Sequence, residues 1–332
     1  MIDRSLPLLI TGAAGFIGAR AVETARKKGY SVVSVDHAPY FHERTEHRGL
    51  DFGEIVDLDS LEAWLTERTQ RLGRAPVSGV IHMGACTDTT ELDVAYLTRV
   101  NLEYTKMLWN FCADRAIPFV YASSAATYGE GELGYTDDES LTPRLKPLNP
   151  YGESKRAFDE WALNEEKKGH APPAWSGFKF FNVYGFGETH KGKMASVIRH
   201  AFQQIREKGQ VKLFQSHKPG IAHGEQKRDF VYVGDVVKVL FFALEAPLPR
   251  GIYNLGTGHA RTFLDLVRAT FKAMDRPENI EFIPTPVELR ERYQYFTQAE
   301  MKKLGAAGYA VPFTELEDGV AEYVKQLIRT YN

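Results

Sequence analysis

The chain has 332 residues, 43% hydrophobic and 25% charged, with a formal net charge of -2. That length supports one large core with a smaller lobe attached, and the near-neutral balance gives no pull toward nucleic acid or an anionic surface. Cys86 and Cys112 are too few for a disulfide framework and lack metal-type spacing, "MIDRSLPLL" has no signal-peptide pattern, and no apolar run reaches membrane-spanning length; the expectation is a cytoplasmic protein with no metal, membrane or nucleic-acid partner.

The first predicted strand, "PLLIT", leads into "GAAGFIGARAVETARKKG", where Gly12, Gly15 and Gly18 stand in GxxGxxG spacing ahead of an amphipathic helix. Between a strand and a helix this spacing suits a dinucleotide. Gly12 supplies an unusual backbone angle, Gly15 lets the main chain approach a pyrophosphate, and Gly18 lets the helix pack closely on the sheet. The pyrophosphate then meets free N–H groups at the positive end of the helix. The next strand, "YSVVSVD", closes on Asp36, a carboxylate placed to accept from an adenosine ribose hydroxyl and so to favour NAD. His37, Arg44 and Arg48 follow, and a guanidinium there can meet the 2′-phosphate of NADP; both cofactors stay open. Residues 37–54 read as a loop.

"GVIHMGA" and "PFVYASS" continue an alternation of buried strands with helices that predicts a doubly wound parallel α/β sheet. "HMGACTDT" and Asn101 supply small and polar groups suited to border a nicotinamide. Ser123, Ser124 and Thr127 put hydroxyls at the carboxyl edge of a strand, where a ligand over the glycine turn would lie. In "YGESK", Tyr151 and Lys155 share a helix face, and an ammonium beside a phenol favours the phenolate, bringing tyrosine toward use as an acid or base near neutrality. "FKFFNVYG" reads as one further strand. Loops occupy 185 to 228, after which "DFVYVGDVVKVLFFAL" and "GIYNLGTG" read as strands with a helix between them. The expected division is a dinucleotide-binding domain from 1–181 and 229–257, and a substrate lobe from 182–228 and 258–332.

"TGAAGFIG", the Ser124, Tyr151 and Lys155 set, "RDFVYVGDV" and "GIYNLGTG" together resemble the extended short-chain dehydrogenase/reductase family, whose members act largely on nucleotide sugars. The likeness covers nearly the whole chain. "YASSAATYG", "FNVYG", "HKGKMASV", "KRDFVYVGDV" and "RYQYFTQAEM", in the same order, are more narrowly similar to the ADP-glyceromanno-heptose 6-epimerase branch. The resemblance implies tightly bound NADP, a nucleotide-sugar substrate, a homo-oligomer, and inversion at C6 of ADP-D-glycero-D-manno-heptose through a 6-keto intermediate. It implies that Tyr151 and Lys191 are the two acid/base groups, with Ser124 and Lys155 supporting Tyr151. The cofactor would be framed by Gly12, Gly15, Phe16, Ile17, Gly18, Asp36 and His37 on one side, and by Met83, Gly84, Ala85, Cys86, Thr87, Asn101, Tyr151 and Lys155 on the other. Ser124, Asn182, Val183, Lys193, His200, Phe214, Gln215, Ser216, Arg228 and Tyr293 would hold the substrate, with Arg228 suited to clamp a pyrophosphate.

Two departures fall in the substrate lobe. Lys193 stands where the branch commonly has a small hydroxyl residue, and "QSHKPGIAHGEQKRDF" is long, so both bear on affinity or sugar preference. Chemistry favours the implied reaction: an unactivated C–H is not acidic, whereas hydride loss gives a flat ketone reducible from either face. Turning the terminal arm of the heptose moves the oxygen, and one group cannot serve both positions within the roughly 3 Å that proton transfer needs. A UDP-hexose 4-epimerase would need one such group, and a 4,6-dehydratase predicts an Asp-Glu pair that "SSAATYG" lacks. A catalytically silent nucleotide-binding regulator is disfavoured by the intact Ser-Tyr-Lys set.

Overall fold

The computed structural model describes residues 2–246, 248–290 and 294–331. Its strands are β1 (Leu8–Thr11), β2 (Val32–Asp36), β3 (Glu54–Asp57), β4 (Gly79–His82), β5 (Phe119–Ser124), β6 (Trp175–Phe180), β7 (Asn182–Tyr184), β8 (Val211–Phe214), β9 (Lys227–Tyr232), β10 (Gly251–Leu255), β11 (Ala260–Thr262) and β12 (Ile280–Ile283). Seven of them form one parallel sheet in the order β10-β6-β5-β4-β1-β2-β3. The winding reverses where β1 lies between β2 and β4. A crevice at such a reversal opens at the carboxyl ends of the strands, which places Thr11, His82 and Ser124 around one point.

Apolar side chains cover both sheet faces, so the central strands read as continuous hydrophobic runs. On one face the helices Phe16–Lys27 and Val233–Glu245 contribute Ala19, Val22, Val236 and Leu240. On the other, the helices Leu61–Leu72, Tyr104–Asp114 and Pro150–Lys167 contribute Leu65, Trp109 and Phe158. Trp109 is fully buried and meets Trp175 edge-on at 4.9 Å. No described helix is long and apolar enough to cross a membrane.

A second group of elements carries its own core. Strands β11-β9-β7 form a three-stranded sheet and β12-β8 a parallel pair. The helices Val197–Lys208, Phe263–Ala273 and Leu316–Tyr331 pack Phe202, Leu266 and Tyr323 together beside these strands.

Three local expectations change. Residues 185–228, read as loops, hold the helix Val197–Lys208, whose Ile198, Ala201, Phe202 and Ile205 are buried, and the strand β8. "FKFFNVYG" is two strands: the Phe181 N–H makes a last bond to β10 at the Leu255 carbonyl, 3.1 Å, and the Val183 N–H then turns back on the Phe181 carbonyl at 2.9 Å, after which the chain pairs in the small sheet. Residues 37–54 hold the helical turns Tyr40–Glu43 and Thr45–His47. The Pro39 carbonyl accepts from His42 and Glu43 at 3.0 Å, and Phe41 is buried edge-on against Phe52. Tertiary packing overrides the loop-like composition.

The glycine turn brings backbone close against backbone. Gly12 has φ +62°, and a Cβ there would lie 2.7 Å from the Gly84 nitrogen; a Cβ on Gly18 would lie 1.9 Å from the Gly12 carbonyl oxygen. Gly18→Ala should therefore cost about 1–3 kcal/mol in urea unfolding, as overpacking against backbone does. Gly305→Ala, where a Cβ meets nothing within 4 Å, should be neutral or slightly stabilising. Equal stability of the two variants would refute the close packing.

Candidate active site

The glycine-turn helix begins at Phe16 with Gly15 as its N-cap, without a side-chain cap or an acidic residue in its first turn. Its leading N–H groups are thus left for an anion, and the absence of a Cβ at Gly12 and Gly15 keeps the backbone accessible. These residues fit the pyrophosphate of a nicotinamide dinucleotide. The Ala14 peptide is gripped on both sides. Its N–H donates to Asp36 Oδ2 at 3.0 Å, and its carbonyl accepts from Arg44 Nη1 at 2.6 Å and His47 Nε2 at 3.1 Å. Asp36 Oδ1 accepts from the His37 N–H at 2.9 Å. The Arg44 guanidinium lies 4.0 Å from the centroid of the Tyr40 ring.

A buried hydrogen-bond relay connects this turn to Tyr151. The Thr11 hydroxyl accepts from the Gly84 N–H at 3.1 Å and lies 2.6 Å from His82 Nδ1; His82 Nε2 lies 2.9 Å from Thr105 Oγ1, which donates to the Asn101 carbonyl at 2.7 Å. Those roles assign the proton of His82 to Nε2. Burial, and then the Lys155 charge, push His82 down to about 3, so it is neutral. Asn101 accepts from the Cys86 N–H at 2.8 Å and donates to the Cys86 carbonyl at 3.1 Å and to Ser154 Oγ at 3.0 Å. Ser154 donates to the Tyr151 carbonyl at 2.7 Å. Asn101 sits in a π-turn, Thr98–Glu103, a distortion often found at functional sites. The segment Met83–Thr87 is thereby fixed between the glycine turn and Tyr151.

Ser124 closes β5 and its Oγ accepts from the Ala126 N–H at 3.1 Å, capping a short helical turn. Tyr151 is the second residue of the helix Pro150–Lys167, whose Asn149 cap accepts from the Gly152 N–H at 2.8 Å. Burial raises the Tyr151 phenol above its usual value, and the hydrogen bond with Ser124 pulls it back. The expectation that Lys155 lowers it differs from this structure, where Lys155 Nζ donates to the Ala122 carbonyl at 2.8 Å. Burial brings Lys155 itself down to about 8, opposed by the charge of Asp159.

Asp159, one helical turn beyond Lys155, is fully buried; it accepts from Tyr121 at 2.9 Å and Ser123 at 2.7 Å and pairs with Lys179 at 3.1 Å. Lys179 in turn donates to Thr127 Oγ1 at 2.7 Å. The sequence reading missed this pair, although a carboxylate sharing the Tyr151 and Lys155 face was a usable signal.

Lys191 lies in short helical turns, Thr189–Met194, broken at Gly192 with φ +52°. The buried Glu188 carboxylate closes the base of this segment by accepting from the Ser196 N–H at 2.7 Å and from the Ser196 hydroxyl. The Lys191 ammonium stands 5.5 Å from the centroid of Phe16, the first residue of the glycine-turn helix. Burial lowers its pKa against the opposing charge of Glu188.

Among the expected substrate residues, Asn182 and Val183 pair with Phe230 and Val231, and Asn182 is exposed. Lys193 is exposed and His200 half-buried on the helix Val197–Lys208. Phe214 closes β8; Gln215 donates its N–H to the Ile283 carbonyl at 2.8 Å, and Ser216 donates to His223 Nδ1 at 3.0 Å. The Arg228 guanidinium donates to the carbonyls of Lys227 and Gln294. Its neighbour Asp229 is instead a buried hub, accepting from Thr257 N–H at 2.7 Å, Thr257 Oγ1 at 2.8 Å, Gly258 N–H at 2.9 Å and Ala299 N–H at 3.0 Å. Tyr293 lies outside the described residues.

Residues 8–256 match the NAD dependent epimerase/dehydratase family. A relative from Fusobacterium nucleatum named ADP-L-glycero-D-manno-heptose-6-epimerase is 44% identical over 330 residues, covering 97% of this chain and 98% of its own. The crystal structure of the Helicobacter pylori ADP-L-glycero-D-manno-heptose-6-epimerase superposes with a TM-score of 0.79 at 25% identity, over 97% of this chain and 96% of that one. MoeE5, solved with UDP-glucuronic acid and NAD, gives a TM-score of 0.75 at 26% identity, over 98% and 99%. From the glycine-turn strand to the end of β10, and in relatives aligned over nearly their whole length, the correspondence is continuous, and the chain belongs to the NAD dependent epimerase/dehydratase family.

Proposed function

We propose that this protein is an isomerase that interconverts ADP-D-glycero- and ADP-L-glycero-D-manno-heptose by inverting C6 through a 6-keto sugar. The observation that carries this reading is the lysine of "HKGKM". Lys191 is half-buried beside the first residue of the glycine-turn helix, and this burial eases its deprotonation. A solvent-facing lysine in a charged loop would do neither. The near-full-length likeness to a relative named for this reaction supports the substrate.

Bound nicotinamide supplies a hydride acceptor and donor at C6. The protein's own groups manage the oxygen. Tyr151 takes or returns the hydroxyl proton and Ser124 hydrogen-bonds to the same oxygen, while Lys155, one helical turn on, is anchored on the Ala122 carbonyl. Once the terminal arm of the sugar turns, the oxygen faces away from Tyr151 and Lys191 handles its proton there. Arg228, Asn182 and the Phe214–Ser216 edge would hold the nucleotide end.

For the cofactor we infer NADP. Both Asp36 oxygens already accept main-chain N–H groups, from Ala14 and His37, while Arg44 lies over the Tyr40 ring beside the same turn. A guanidinium so placed suits a 2′-phosphate.

Tyr151→Phe and Lys191→Met should each slow epimerisation by about 10²–10⁴-fold, the usual worth of a positioned acid/base group, with bound nucleotide retained. Full turnover by either variant removes that residue from the chemistry, and conversion of UDP-hexoses in place of the heptose overturns the substrate. Mass measurement of nucleotide extracted from purified protein should give NADP, and Arg44→Ala should shift the retained fraction toward NAD. NAD in the unaltered protein contradicts the assignment.

A further inference from the structure

Glu46 and His190 are 144 residues apart, yet one oxygen joins them: Glu46 Oε1 accepts from the His190 backbone N–H at 2.9 Å and from its Nδ1–H at 2.8 Å. Glu46 belongs to the turn Thr45–His47, which is itself fastened to the glycine turn, since Arg44 and His47 both donate to the Ala14 carbonyl. His190 immediately precedes Lys191, whose ammonium returns to Phe16 at the start of the same helix. The contacts therefore close a ring around the N-terminus of the glycine-turn helix.

The charges suit a hydrogen-bonded clasp. Burial would raise the Glu46 carboxyl, but the hydrogen bonds from His190 prevail and hold it at about 2; burial, then the Arg20 charge, push His47 down to about 4. Near neutrality Glu46 is an ionised acceptor and His47 an uncharged donor. Ligand-type atoms of Glu46, His47 and His190 lie within 4.8 Å of one another. His47 Nε2 donates to Ala14 and His190 Nδ1 to Glu46, His47 Nδ1 is buried without a hydrogen-bond partner, and the Arg20 cation beside His47 opposes a second cation.

The segment around Lys191 needs such a tie. Glu188 and Ser196 close only its base, Gly192 breaks its helical turns, and Lys193 and Met194 are exposed. Proton transfer requires an approach of about 3 Å, and a misplacement of about 1 Å can cost about 10²-fold. We propose that Glu46 is a positioning residue for Lys191: through His190 it holds the second proton-handling group in register with the cofactor turn, although Lys191 belongs to a segment that leads into the substrate lobe. This rests on the reading of Lys191 as an acid/base group.

The test is a double-mutant cycle. Glu46→Ala and Glu46→Gln are each made alone and with Lys191→Met, and single-turnover epimerisation of ADP-heptose, kcat, KM, retained cofactor and thermal midpoint are measured. Glu46→Ala should lower kcat about ten- to a hundredfold, with KM and cofactor content changed less than about twofold. Glu46→Gln, which keeps an acceptor for the His190 N–H, should recover part of the loss and answers the question if the alanine variant fails to fold. In the Lys191→Met background, Glu46→Ala should add less than about twofold. An equal fall in both backgrounds, full activity of Glu46→Ala, or a loss that tracks lost cofactor overturns the positioning role. Unaltered protein that leaves ADP-heptose unconverted overturns the functional reading instead, and a fully active Lys191→Met overturns the role of Lys191 on which the clasp depends.

Discussion

The Gly12 carbonyl and Gly18 are so close that no side-chain atom fits between them, and this crowding sets the position of every group at the site. It brings the start of the first helix onto the sheet where β1 and β4 diverge, and so aims uncapped N–H groups into the crevice. From that turn two lines of contact lead outward. One passes through Thr11, His82, Thr105, Asn101 and Ser154 to Tyr151. The other leads from the Ala14 carbonyl through Arg44 and His47 to Glu46, His190 and the neighbourhood of Lys191. The two groups proposed to handle protons, from distant parts of the chain, are thereby referred to one piece of backbone, as a reaction centred on a single bound nucleotide would demand.

Much of this was legible in the sequence because it is local. The turn needs glycines at fixed offsets, Tyr151 and Lys155 need one helical turn, and the buried parallel strands need apolar runs. What escaped depends on contacts that spacing cannot show. Asp229 looks like half of an ion pair with Arg228, yet its carboxylate organises Thr257, Gly258 and Ala299. Glu46 looks like one charge in a polar loop until the fold carries His190 to it. Phe181 looks like mid-strand, but its carbonyl is taken by the Val183 N–H two residues on and the chain changes sheets there. The helical turns in 37–54 arise from the same cause, since Phe41 needs Phe52 to be buried.

The electrostatics of the two residues proposed to handle protons differ. Tyr151 is buried on the sheet side, where desolvation favours the neutral phenol and the Ser124 hydroxyl and the N-terminal end of its helix oppose that tendency. Lys191 is half-buried on the glycine-turn side, where desolvation favours the neutral amine. In the proposed reaction, burial would favour one residue as a proton donor and the other as an acceptor, complementary roles for oxidising a hydroxyl in one orientation and reducing a ketone in the other.

Isotope labelling at the stereocentre tests this chemistry most directly. ADP-heptose carrying deuterium at C6, converted in ordinary water, should yield the inverted product with its deuterium kept, because hydride lent to a nicotinamide within the site returns to the same carbon. Loss of the label to water, or entry of deuterium at C6 when unlabelled sugar reacts in heavy water, would mean that C6 is deprotonated and would contradict hydride transfer.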